Sequence, residues 1–134
     1  MFPPPLLADR PPALRFALTY VTPVIGGFLT GVTLGLGIAA WVIANVIATL
    51  AGFGAGLDHD GAADAARRGA TGGVLFGLSV VLADALVVED RVAKIADPAI
   101  LQAVVTTVAG TLLALAGTWL RSRIVRRRAE TAVA

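Results

Sequence analysis

The chain has no cysteine and a single histidine, and only 15% of its 134 residues are charged. Without thiols there can be no disulfide, no thiolate metal site and no thiol redox chemistry. Charge is missing over long stretches rather than thinly spread. Between Arg15 and Asp58 lie 42 consecutive uncharged residues. No soluble domain is built that way, and the rest of the composition agrees: 57% hydrophobic residues and a mean hydropathy of +0.82 describe a membrane protein.

What fills these gaps is apolar sequence in lengths set by the bilayer. As one helix the uncharged run would be roughly 63 Å long, about twice the hydrocarbon thickness, so it has to fold back. The glycines of "GLG", Gly35 to Gly37, allow the reversal. Spans are expected near residues 16–35 and 38–57. A third follows the polar loop "DHDGAADAARR", near 70–88, and a fourth follows "EDRVAKIADP", near 99–120, with Pro98 in its first turn. A re-entrant loop plus three spans is disfavoured because irregular backbone in lipid leaves its polar groups unpaired. The expected architecture is all-α: a polytopic four-transmembrane-helix bundle over residues 16–120, preceded by a proline-rich arm at 1–15 and followed by a basic tail at 121–134. The N-terminus lacks the ordered regions of a secretory signal peptide, and no cleavage is expected.

Basic residues give an independent test of this topology. Four spans place Arg10, Arg15, Arg67, Arg68, Arg121, Arg123, Arg126, Arg127 and Arg128 on one side, and only Arg91 and Lys94 on the other. Nine against two predicts that both termini and the central loop are cytoplasmic, in a cell inner membrane or plasma membrane. Tyr20 and Trp119 then lie near the inner interface and Trp41 near the outer one. The five arginines of "WLRSRIVRRR" read as a helical extension over anionic lipid headgroups. No fold accompanies them that would bind nucleic acid.

Small residues recur at helical spacing. "IGGFLTGVTLGL" at 25–36 is echoed by "TGGVLFGLSVVL" at 71–82. Lipid is as apolar as leucine, so helices in a bilayer associate where small residues let their backbones approach. Gly27, Gly31 and Gly35, then Gly52 and Gly56, then Gly73 and Gly77, then Gly110 and Gly117 form the expected packing strips. The echo suggests a duplicated two-helix hairpin with a pseudo-two-fold axis along the membrane normal.

Helical wheels place Asp84, Asn45 and Thr106 on the same faces as these strips, with Thr107 beside Thr106. Two readings of this outer polar set stand open. In one, Asp84 is the ion or proton site of a small cavity with Asn45, Thr106 and Thr107 as neutral ligands. In the other, Asp84 reaches the outer boundary or pairs with Arg91 or Lys94, and the neutral groups make interhelical hydrogen bonds. Asp58, His59 and Asp60 match no metal-loop spacing; Asp60 is expected to cap a short helix, and Asp64 to pair with Arg67 and Arg68. No metal or cofactor is expected. The spans offer no second carboxylate, histidine or cysteine nucleophile, which argues against an enzyme. The expected function is a small non-enzymatic membrane protein with a structural or accessory role, partnered by lipid and by further copies or a larger membrane protein. The alternative is a small oligomeric transporter or channel built around Asp84.

Overall fold

A computed structural model describes residues 4–133. The first three residues of the expected arm and Ala134 of the tail lie outside the described residues. Four helices are long and apolar enough to cross a membrane: α1 (Pro12–Gly35), α2 (Ile38–Leu57), α3 (Ala62–Val87) and α4, a span within the helix Ile100–Val133.

Helix α1 starts where Pro12 takes the first helical position, where its missing N–H costs no bond. It carries a wide turn at Ala17–Val21, just before Pro23. Proline cannot donate and crowds the preceding turn, so the local register loosens. Thr22 donates its backbone N–H to Ala17, five residues back, and its hydroxyl also reaches that carbonyl at 3.1 Å. The helix tightens at Thr33–Gly35 and the chain reverses at Gly37, whose φ of +136° suits glycine alone. Helix α2 follows directly, as the "GLG" turn predicts.

Helix α3 begins eight residues earlier than the expected third span, at Ala62 against residue 70. "AADAARR" reads as a loop by charge, yet alanine and arginine are strong helix formers and no breaker interrupts them. Asp60 does not cap this helix: Gly61 holds the cap position, with no side-chain bond. Helix α4 runs 34 residues, roughly 51 Å, and so extends beyond the hydrocarbon, as the basic tail suggests. It begins at Ile100, and Pro98 stands just ahead of it, accepting the N–H of Leu101 at 2.9 Å.

The helices neighbour one another in the order α1, α3, α4, α2. The closest association is between α3 and α4; α1 lies along α3 and α2 along α4, while α1 and α2 scarcely touch. The interior is made of small residues. Ala65, Ala83, Ala103 and Ala114 are buried, and Leu34 and Val80 are the only large side chains fully enclosed among the described residues. Leu29, Ile47, Leu50, Leu86 and Leu112 point outward. That inside-out distribution is what lipid, rather than water, permits.

Glycines make the helix seams. Gly69, Gly73 and Gly77 of α3 lie on the backbone of α4 at Gly110, Thr106–Thr107 and Ala103. A methyl group at Gly77 would stand 2.6 Å from the Ala103 Cα. Gly27 and Gly31 of α1 lie instead on α3, where a methyl at Gly31 would meet the Ala83 Cβ at 2.6 Å. Gly56 and Gly117 bring α2 onto α4, and Gly52 faces Leu113. Gly35 differs from the expected strip: it sits in the tight turn, in ordinary contact with Val88 of the α3–α4 loop. Echoed glycines thus meet different neighbours, because α1 uses its strip on α3 and α3 uses its own on α4.

Candidate functional site

The described charged groups collect at the two ends of the bundle. At the far end, α3 stops at Val87 and the chain crosses over α1, where Val92 donates its N–H to the Leu34 carbonyl at 2.9 Å. This crossing returns Arg91 toward the last turn of α3. Its Nε donates to Asp84 Oδ1 at 2.5 Å and its terminal nitrogen to Oδ2 at 2.6 Å. The Asp84 side chain is 4% exposed and that of Arg91 is 52% exposed. The carboxylate is therefore sunk in the protein, while the cation that neutralises it reaches solvent or headgroups. Bidentate pairing is the geometry in which a buried carboxylate is best satisfied.

The other expected members of the outer set lie apart. Asn45 is half-buried on α2 and donates to the Trp41 carbonyl one turn back, at 2.8 Å. The Thr106 hydroxyl occupies the α3–α4 seam, 2.8 Å from the Gly73 carbonyl across it and 2.8 Å from Gln102 of its own helix. Thr107 donates to Ala103 within α4 at 2.5 Å. No hydrogen bond among the described residues joins Asp84 to Asn45, Thr106 or Thr107. Of the two readings of Asp84, the geometry is that of the pair with Arg91.

The basic end is a set of ties between segments distant in sequence. Arg121, grouped by its sequence with the lipid-facing arginines, is 8% exposed. Its Nε donates to Asp60 at 2.7 Å and one terminal nitrogen to the carbonyls of Leu57 at 2.7 Å and Pro4 at 2.6 Å. Leu57 is the last residue of α2, so Arg121 places a cation where carbonyls are unpaired and the helix dipole is negative. Beside it, Thr118 donates to the Gly56 carbonyl at 2.7 Å. Arg10 grips both oxygens of Asp58 at 3.2 Å, and the Leu7 N–H bonds the Asp58 carbonyl at 2.9 Å. The described part of the proline-rich arm is thus fastened across this end.

Arg68 reaches from α3 to the Leu18 carbonyl of α1. That carbonyl has lost its usual donor, because Thr22 bonds Ala17 instead, and the next residue in the widened register is Pro23, which has no N–H. A guanidinium fills the place. Asp64 meets Arg67 at 3.7 Å on the exposed surface, while Arg68, its other expected partner, is engaged at Leu18. Asp58, His59 and Asp60 turn to three different partners, Arg10, the Ala55 carbonyl and Arg121, and no metal-holding group of residues occurs among the described residues.

Four arginines of the tail stay exposed. Arg123 lies over the Trp119 ring at 3.9 Å, and Arg126, Arg127 and Arg128 project from the helix. Sequence reasoning missed the roles of Arg10, Arg68 and Arg121. The signal for Arg68 was Pro23 inside a span, since a proline there orphans a carbonyl that another residue must satisfy. Comparison of the chain with protein-family models, with curated proteins and with solved structures finds no match.

Proposed function

We propose that this chain is a small non-enzymatic integral membrane protein with a structural or accessory role, its helices held together by backbone contact at glycines. The observation that carries this reading is the Asp84–Arg91 pair. A carboxylate serving as a carrier site has to be free to exchange a proton or cation, and both oxygens of Asp84 are engaged by a guanidinium from the adjoining loop. Asn45, Thr106 and Thr107 are bonded within their own helices or across the α3–α4 seam, which gives Asp84 no neutral ligands.

The nine-to-two division of basic residues supports a multi-pass orientation with both termini cytoplasmic, in a cell inner membrane or plasma membrane. Arg123, Arg126, Arg127 and Arg128 then face anionic headgroups. Duplication of a two-helix hairpin rests on the glycine echo alone; the α3–α4 seam has no counterpart between α1 and α2.

Reconstitution tests the reading. Proteoliposomes with the wild-type chain and with Asp84→Asn are expected to pass protons and monovalent cations no faster than protein-free liposomes. A wild-type flux that Asp84→Asn abolishes, in a variant that still folds, would overturn the accessory role. It would favour a small oligomeric transporter or channel built on that carboxylate.

A further inference from the structure

We propose that the far-end half of α2 is an interface with a second copy of this chain, in which the two Asn45 side chains hydrogen-bond to each other across a two-fold axis along the membrane normal. This adds a partner to the accessory reading without resting on it, since its test measures association and not flux.

Helix α2 is one of the two edges of the bundle, α1 being the other. It meets α4 near its basic end, where Gly52 and Gly56 approach Leu113, Ala114 and Gly117. Toward the far end Val42, Ile43, Val46, Ile47 and Leu50 are exposed. Lipid covers such residues at no penalty, but it does not satisfy an amide. Trp41, Asn45 and Thr49 form one ridge at four-residue spacing, and Val42, Val46 and Leu50 form the next. Together they line a shallow groove of about 320 Å³. Two parallel ridges of this spacing are the surface into which a ridge of another helix packs.

Polar chemistry selects the occupant. Thr49 is satisfied locally, donating to the Asn45 carbonyl at 2.8 Å. Asn45 spends one amide hydrogen on Trp41, and among the described residues its Oδ1 and second N–H have no protein partner. The residue lies seven positions into α2 from Ile38, roughly 10 Å below the far end, where water is scarce. The occupant has to offer a donor and an acceptor at that depth, and an acyl chain offers neither. A second copy inserted in the same sense presents its own Asn45 at the same depth. The unequal charge of the two ends, nine basic residues against two, makes all copies insert in one sense. Each amide then donates to the other's Oδ1, so one self-complementary contact satisfies both chains.

The absence of cysteine makes the test direct. Single cysteines at Val42, at Thr49 and at Ile47, on the other side of the helix, are oxidised in native membranes with Asn45 intact. A disulfide-linked species of twice the chain mass is expected from Val42→Cys and Thr49→Cys, and little from Ile47→Cys. Equal linking at all three positions, no linking, or linking to a protein of another mass overturns it. Separately, Asn45→Leu is expected to weaken self-association in mild detergent about tenfold, with Asn45→Gln retaining most of it. Unchanged association in Asn45→Leu overturns the role given to the amide.

Discussion

The single residues with the largest structural consequences are those that answer for a missing backbone bond. Pro23 removes a donor from α1, the register before it widens, and Arg68 supplies the Leu18 carbonyl from a neighbouring helix. This makes a coupled prediction. Arg68→Ala should lower stability in detergent by about 1–2 kcal/mol, the scale of a hydrogen bond made by a charged donor. In a Pro23→Ala background the restored N–H can serve the carbonyl, so the same change should have less than half that effect. Thermal unfolding of the two single variants and the double variant measures the coupling; equal losses in both backgrounds would separate Arg68 from Pro23. Residue-level roles were the least legible part of the sequence. Nothing in "WLRSRIVRRR" distinguishes Arg121 from the other arginines, because only folding brings it beneath the end of α2.

At the level of elements, the sequence states that every span has a smooth face but not which helix that face will meet. Gly27 and Gly31 point to α3, and the echoing Gly73 and Gly77 point to α4, so a repeated motif does two different jobs. Periodicity is a property of one helix, whereas pairing depends on the shapes of all four. Span boundaries were legible where glycine or charge ends a helix sharply, as at Gly37 and Asp58, and were lost where charged residues are also helix formers, as at Ala62. The seam between α3 and α4 should be the most sensitive element. Gly77→Leu is expected to lower the melting temperature in detergent far more than Gly54→Leu, because a Cβ at 77 meets the α4 backbone while one at 54 has no described atom of another helix within 4 Å. Differential scanning of the purified variants checks this, and similar melting points would remove glycine contact as the basis of that seam.

Across the whole molecule, the two ends are built differently. One gathers Arg10, Arg68 and Arg121 with Asp58 and Asp60 into ties that fasten the arm, the α2–α3 turn and the start of the tail. The other carries the glycine turn and a loop anchored by Arg91 on Asp84 and by Val92 on Leu34. On the proposed topology the four long apolar helices make an even number of crossings, with residues before α1 and after α4 on one side. Single cysteines at Ala62, Ala96 and Ala132, labelled in intact and in opened vesicles with a membrane-impermeant reagent, report the side on which each segment lies. Ala62 and Ala132 are expected to react from one side of the membrane and Ala96 from the other; labelling of Ala96 from the same side as Ala62 would refute the four-crossing topology.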